Sequence, residues 1–242
     1  MVDIHCHILP GIDDGSKSWE MTAEMCRVAI ADGITHIVAT PHSNDMYEYN
    51  RERYTEMLGQ LSDAAEGKLA FSLGCDFHFS YDNIQDALAN PRRYTIGESQ
   101  YLLIEFSDYG IPPSVEQDLF AFSSRGLVPI ITHPERNQPL MKNPEMVLKF
   151  VEQGCLVQVT ANAVTGAWGS RSKKLVEWML EREAVHVIAS DAHDPVRRKP
   201  VLSEARDAVA QMAGADVAEA LVTHNPEAIV EGQTVPYQPM LS

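Results

Sequence analysis

The sequence predicts an α/β fold, a parallel β/α barrel that forms a single domain over residues 1–242. Short apolar runs alternate with amphipathic helical segments, which is typical of βαβ units and a parallel sheet. Seven such runs favour a closed or nearly closed barrel over an open sheet. The chain contains no linker rich in Pro, Gly or Ser, no charge block and no low-complexity segment. Its 242 residues are enough for one such domain with a sizeable core.

The predicted strands are short apolar runs bounded by turn or polar residues. They cover residues 2–8, 34–41, 69–77, 101–106, 127–134, 156–161 and 186–192. Amphipathic periodicity predicts helices near residues 18–32, 51–66, 114–124, 144–153, 169–183 and 200–212, and a terminal helical stretch from about Asp216. Ser16 or Ser18 is suited to cap the first helix. Three glycines, Gly33, Gly126 and Gly154, stand where helices give way to strands.

Composition and charge restrict the function classes. A formal net charge of −15 repels polyanions and argues against nucleic-acid binding. No segment approaches the roughly 20 apolar residues of a membrane span. The N-terminus carries Asp3 without a basic flank, unlike a secretory signal, so we expect a cytoplasmic protein without membrane insertion. The widely spaced cysteines, Cys6, Cys26, Cys75 and Cys155, form no CxxC pair and are predicted to be buried free thiols.

Side chains of the metal-ligand type stand at the carboxyl ends of nearly every predicted strand. They are His5, His7, His42, Asp76, His78, Glu105, His133, Asp191 and His193. Parallel α/β folds carry their chemistry in the loops that follow these strand ends. Residues i and i+2 of a strand project to one face, so a pair such as His5 and His7 is able to bind one ion.

Other histidines fit a structural role better. A lone histidine on an apolar strand usually belongs to the core, and His36 and His186 lie inside predicted strands. His224 in the THNPE motif is assigned to a helix cap or to the surface.

The number of ligands predicts more than one ion. A zinc site takes about four ligands and other divalent ions about six, so two or three metals are implied. Nitrogen and oxygen ligands without thiolates suit Mn, Fe or Zn. Three divalent ions would exceed the charge of four carboxylates, those of Asp14, Asp76, Glu105 and Asp191, and a phosphate dianion would balance the surplus. Arg136 lies near His133, and Arg197, Arg198 and Lys199 follow His193; a guanidinium there suits phosphoryl binding.

Five ordered motifs carry a family resemblance: DIHCHILPGIDDG, ATPH, IEF, THPER and SDAH. In this order and spacing they resemble the PHP (polymerase and histidinol phosphatase) superfamily. Within it they are most similar to the bacterial protein-tyrosine phosphatases of capsule and exopolysaccharide operons, the CpsB/YwqE group. The likeness runs from residue 1 to about residue 232. It implies a distorted (βα)7 TIM-like barrel, the PHP fold, with a trinuclear metal centre. Mn is the first candidate for the metal.

The resemblance also implies ligand roles at matching positions. One metal would be held by His5, His7, Asp76 and Asp191. Asp76 would bridge to a second metal completed by Glu105 and His133, and Asp14, His42 and His193 would hold the third. Arg136 and Arg198 fall on the family's phosphate-binding arginines. This chain departs from the family at Asp76, where the bridging residue is usually Glu. Either His78, two residues further on, compensates for the shorter side chain, or the spacing of the metals differs.

The implied reaction is metal-assisted hydrolysis of phosphotyrosine, on a protein partner such as the tail of a bacterial tyrosine autokinase that controls polysaccharide export. Two alternatives on the same barrel are a small-molecule phosphomonoesterase, such as a histidinol-phosphate phosphatase, and a PHP nuclease. A catalytically silent binding module is a third, and an oligomer is compatible with the sequence. The thiol mechanism with HCx₅R is excluded, since Ile12 stands where its arginine belongs.

Overall fold

The computed structural model describes residues 1–238, and within them nine strands pair in parallel ladders. The strands are β1 (Val2–Cys6), β2 (His36–Ala39), β3 (His42–Ser43), β4 (Ala70–Leu73), β5 (Asp76–His78), β6 (Tyr101–Glu105), β7 (Val128–Thr132), β8 (Leu156–Thr160) and β9 (Val187–Ala189). They form a three-stranded sheet in the order β1-β2-β4 and a six-stranded sheet in the order β3-β5-β6-β7-β8-β9. The predicted α/β class with parallel strands is confirmed.

Two of the seven predicted strands differ from the structure. The run 34–41 contains only β2, which ends at Ala39 and is followed beyond the predicted end by the separate strand β3, and the run 69–77 is divided into β4 and β5. Pro41 has no N–H to donate to a ladder. Gly74 lies so close to strand β2 that an added Cβ would stand 3.1 Å from Val38 Cγ1. At both breaks the chain passes from the three-stranded to the six-stranded sheet, so the strand ladders form two sheets in place of one closed ladder.

The carboxyl ends of β1 and β9 are nevertheless neighbours. His7 N donates to Ala192 O at 2.8 Å, and Asp191 N donates to His5 O at 2.8 Å. Cys6 and Ala192 form an isolated parallel bridge. These bonds bring the first and the last strand ends to the same rim.

Helices connect the strands. They are α1 (Trp19–Asp32), α2 (Arg51–Ala64), α3 (Tyr81–Ala89), α4 (Val115–Ser124), α5 (Gln138–Lys142), α6 (Glu145–Glu152), α7 (Ala161–Thr165), α8 (Ser170–Glu181), α9 (Ser203–Ala213), α10 (Ala215–Glu219) and α11 (Asn225–Val230). A 3-10 turn covers Pro134–Arg136, and a π-helical turn covers Ala220–His224. Ser18 caps α1 by accepting from Met21 N, and Gly33 ends it at φ 87°. The sequence did not predict the short helices α3, α5 and α7.

The core has two parts. One apolar cluster, which includes Leu103, Ile130 and Val187, is made largely of strand residues. A larger cluster contains residues of both helices and strands, and its members extend from Cys6 to Val222. All four cysteines are buried and free, as predicted. Within residues 1–238 no helix is both long and apolar enough to cross a membrane.

Candidate metal centre

The first group of candidate ligands surrounds the end of β1. His5 Nε2 and His7 Nε2 lie 3.3 Å apart. His5 Nε2 is 3.4 Å from Asp76 Oδ2, and His7 Nε2 is 3.5 Å from Asp191 Oδ1. All four side chains are buried. Strands β1, β5 and β9 thus bring to one point the four residues that the resemblance assigns to one metal.

Asp76 also belongs to a second group. Its Oδ2 lies 3.2 Å from His42 Nδ1, and His42 Nδ1 lies 3.7 Å from Glu105 Oε2. The His133 Nε2 atom is 3.8 Å from Glu105 Oε1. Asp76 therefore stands at the junction of the two groups even though its side chain is one methylene shorter than Glu. His78 Nδ1 lies 3.6 Å from Glu105 Oε2, so His78 borders the second group.

The third group forms around the loop that follows β1. Asp14 Oδ1 lies 3.3 Å from His42 Nε2 and 3.4 Å from His193 Nε2. His7 offers a nitrogen to the same group. His42 contacts the second group with Nδ1 and the third group with Nε2. The resemblance had placed His42 in the third group alone.

The chemistry of this cluster fits divalent cations. Among residues 1–238, neither carboxylate oxygen of Asp76 has a hydrogen-bond partner although the residue is fully buried. His42 Nδ1 is likewise unpartnered, since its 3.2 Å approach to Asp76 lacks hydrogen-bond geometry. Buried polar groups in folded proteins are nearly always paired, and burying an unpaired charge is costly. A cation among these atoms would remove that cost.

The pKa values of the imidazoles reflect the burial of these side chains and the carboxylates close to them. Burial alone would lower the pKa of His5, but Asp76 and Asp191 raise it to about 9. Burial likewise opposes the effect of Asp14 and Asp76 on His42, whose pKa rises to about 11. The carboxylates of Asp14, Asp76 and Asp191 therefore favour positive charge in the space between them. By contrast, burial and Arg136 lower the pKa of His133 to about 3, which keeps its imidazole neutral, as metal ligation requires.

The two carboxylates of the second group respond in opposite directions. Burial raises the pKa of Asp76, but His5 and His42 outweigh burial and hold it well below the ordinary value. The pKa of Glu105 is raised by burial and by the neighbouring Asp76 charge. Two carboxylates this close, Asp76 buried and Glu105 half-buried, are best stabilised by a cation that they share.

Arg136 and Arg198 both reach this rim. Each donates to Asp191 Oδ2, Arg198 through Nη2 at 2.5 Å and Arg136 through Nη1. Arg197 and Lys199, which the sequence offered beside Arg198, are exposed. The structure therefore brings together the two arginines named by the resemblance.

Several functional neighbours were not predicted. Asp13 accepts from His7 Nδ1 at 2.8 Å, and Gln158 accepts from His5 Nδ1 at 2.9 Å. These bonds turn each Nε2 toward the ligand cluster. A polar residue inside the apolar strand LVQVTA was the available signal for Gln158. Trp168 lies beside both arginines, and no pattern in the sequence marked it.

The remaining histidines lie outside the three groups. His36 Nε2 is 2.9 Å from Ser72 Oγ, and buried His186 accepts from Val157 N. His224 is exposed. Burial holds the pKa of the Cys6 thiol well above its ordinary value, so Cys6 is a packing residue and not a nucleophile.

Comparisons with known proteins agree with this geometry. Residues 1–231 match the CpsB/CapC family of capsular polysaccharide synthesis. Over 243 residues the chain is 32% identical to the tyrosine-protein phosphatase YwqE of Bacillus subtilis, covering 99% of this chain and 95% of that one. It is 36% identical to the putative tyrosine-protein phosphatase CapC of Staphylococcus aureus over 84% of this chain and 81% of that one.

Solved structures give the same result. A structure from the study of YwqE from Bacillus subtilis and CpsB from Streptococcus pneumoniae, described as unique metal-dependent tyrosine phosphatases, matches with a TM-score of 0.91 at 31% identity over 100% of both chains. The histidinol phosphate phosphatase of Lactococcus lactis matches with a TM-score of 0.59 at 12% identity, over 88% of this chain and 93% of that one. At that identity the likeness is one of fold alone.

Proposed function

Since this chain belongs to the CpsB/CapC family of capsular polysaccharide synthesis proteins, we propose that it is a metal-dependent protein-tyrosine phosphatase, a phosphoric monoester hydrolase. One observation carries the proposal: three interleaved groups of histidines and carboxylates meet on one rim with two arginines. Tyrosine phosphatase activity in the relatives YwqE and CpsB supports it.

The proposed site holds two to three divalent ions. His5, His7, Asp76 and Asp191 bind the first, and Asp76 with Glu105 and His133 binds the second. Asp14, His42 and His193 bind the third. Mn²⁺ is the first candidate and Fe or Zn the next, because the set combines imidazoles with carboxylates and has no thiolate.

When bound, divalent ions would supply a water of lowered pKa and would neutralise charge on the phosphoryl oxygens. Arg136 and Arg198 bind the phosphoryl group through their planar N–H donors. The tyrosine leaving group has a pKa of about 10, so it departs with less protonation than an alkoxide needs. His5 and His7 are held in one tautomer by Gln158 and Asp13, which presents both Nε2 atoms as ligands.

The proposed substrate is a phosphotyrosine on a protein, such as the tyrosine-rich tail of a bacterial tyrosine autokinase that controls capsule or exopolysaccharide synthesis. The capsular names of the family and its relatives support this partner. Such a partner would place the enzyme in the cytoplasm. We also propose that residues 1–242 form one domain and that the two sheets together make a distorted (βα)7 TIM-like barrel; bonds between the ends of β1 and β9 support this arrangement.

The test is hydrolysis by the Mn²⁺-loaded protein of a phosphotyrosine peptide, histidinol phosphate and a single-stranded oligonucleotide in parallel. We expect the peptide to be preferred. His5→Ala and Asp191→Ala should abolish hydrolysis with excess Mn²⁺, because each removes a ligand of the first group. The matched controls are Cys6→Ser and His36→Ala, which should stay active.

Three results would overturn the proposal. Unchanged turnover in Asp191→Ala would remove the metal site from the reaction. A preference for histidinol phosphate would favour the small-molecule phosphatase, and cleavage of the oligonucleotide alone would favour the nuclease.

A further inference from the structure

Trp168 lies in the loop between α7 and α8, between two glycines with left-handed backbone, Gly166 at φ 91° and Gly169 at φ 93°. This loop follows the end of β8, the strand between β7 and β9 in the six-stranded sheet. The indole is 38% exposed, so it is not an ordinary core residue. Its position is on the rim that carries the candidate metal centre.

The indole contacts both phosphate-binding arginines. The Cζ atom of Arg136 is 5.0 Å from the ring centroid, and the Cζ atom of Arg198 is 5.6 Å from it. Both distances are within the range of cation–π attraction, for which Trp is the best aromatic partner. Arg136 follows β7 and Arg198 follows β9, so one side chain joins the two loops on either side of its own.

We propose that Trp168 is a positioning residue that holds Arg136 and Arg198 as a pair in the orientation that accepts a phosphoryl group. This inference rests on the proposed function, because it names how the same site orients its substrate.

A carboxylate and an aromatic ring hold a guanidinium in different ways. A carboxylate engages guanidinium N–H donors and neutralises the charge, whereas an aromatic face attracts the cation and leaves the donors free. Arg136 and Arg198 share one oxygen of Asp191, and that carboxylate is also placed against His5 and His7. One bond from each arginine to a single shared oxygen leaves the rotation of each guanidinium open, and the Trp168 ring supplies a second contact to both.

Arg198 supports this view independently. Its Nε is buried and has no hydrogen-bond partner within the described part of the chain. The free N–H of this guanidinium is able to donate a hydrogen bond to an oxygen atom of a bound ligand. A phosphoryl group, with several acceptor oxygens, matches that need.

The test compares Trp168→Ala and Trp168→Phe with the unmodified protein, each loaded with Mn²⁺. Binding of inorganic phosphate is measured by calorimetry, and KM and kcat are measured on a phosphotyrosine peptide. We expect Trp168→Ala to weaken phosphate binding about tenfold and to raise KM more than it lowers kcat. Trp168→Phe keeps an aromatic face and should restore most of the affinity. Phosphate affinity unchanged in Trp168→Ala, or equally poor in both variants, would overturn the inference.

The molecule offers a matched control in Trp178, whose ring is 4.2 Å from the Cζ atom of Arg182. Both residues lie in or next to α8, outside the ligand groups. Trp178→Ala removes the same kind of contact and should leave phosphate affinity unchanged; an equal loss there would overturn the inference by showing a general effect on folding. If phosphate affinity depends on Trp168 as expected but the unmodified protein does not hydrolyse phosphotyrosine, the proposed function fails and the positioning role stands.

Discussion

At the scale of single residues, hydrogen bonds to the second ring nitrogen orient the imidazoles of the candidate ligands. Gln158 lies on β8 and accepts from His5 Nδ1 at 2.9 Å, which fixes the direction of Nε2. Gln158→Leu conserves much of the volume and removes this acceptor. We expect metal affinity to fall about 10- to 100-fold, the usual effect of losing such a partner. Titration of the metal-free protein with Mn²⁺ in competition with a chelator measures it.

The control for this variant is Gln153→Leu, because Gln153 is exposed at the end of α6. It should bind metal like the unmodified protein. If Gln158→Leu also does so, the orientation of His5 does not depend on Gln158.

The sequence pattern identified the candidate ligands but not the residues that orient them. His5, His7 and Asp191 were identifiable because strand ends in a parallel fold meet at one rim. Trp168 was not, and Gln158 was marked only as a polar residue inside an apolar strand, since the partners of both are distant in sequence. His5 is 153 residues from Gln158, and the two arginines come from different loops. The packing of β1, β7, β8 and β9 brings these side chains together.

At the scale of elements, the loop after β1 folds back against its own strand. Ser16 N donates to His7 O at 3.0 Å, and Gly15 N donates to Asp13 Oδ1 at 2.9 Å. A Cβ on Gly15 would lie 2.2 Å from His7 O and 2.4 Å from His7 Cβ. Gly15→Ala must therefore displace the loop that carries Asp13 and Asp14. We expect a loss of about 1 to 3 kcal/mol in the free energy of unfolding and a lower metal content, measured by denaturant unfolding and elemental analysis.

Gly59→Ala is the matched control for this loop variant. Gly59 lies inside α2, where no described atom is within 4 Å of an added Cβ. Alanine there should raise the free energy of unfolding by about 0.5 to 1 kcal/mol and leave metal content unchanged. Equal behaviour of the two variants would show that the close approach at Gly15 is not a constraint.

The breaks between β2 and β3 and between β4 and β5 could not be predicted from the sequence. An apolar run predicts a strand, but its periodicity does not say which sheet the strand joins. The chain changes sheets at Pro41 and at Gly74, where contacts with distant residues decide the path. Helices α5 and α7, of five residues each, are too short to show a helical period.

At the scale of the whole molecule, the candidate ligands link the two sheets and the first and last strands. His5 belongs to the three-stranded sheet, Asp76 and Glu105 to the six-stranded sheet, and His193 follows the last strand. Metal binding should therefore stabilise the whole fold. A ligand at 100 times its Kd adds about 2.7 kcal/mol, which for a protein of this size raises Tm by roughly 5 to 10 °C.

Thermal unfolding with a chelator and with excess Mn²⁺ measures this stabilisation. Asp191→Asn should lose most of the metal-dependent rise, because an amide replaces the carboxylate that faces His5, His7 and both arginines. His224→Asn removes an exposed imidazole outside the three groups and should keep the full rise. A rise of equal size in Asp191→Asn would mean that Mn²⁺ stabilises the protein at a different place. No rise in the unmodified protein would contradict a metal centre that joins the two sheets.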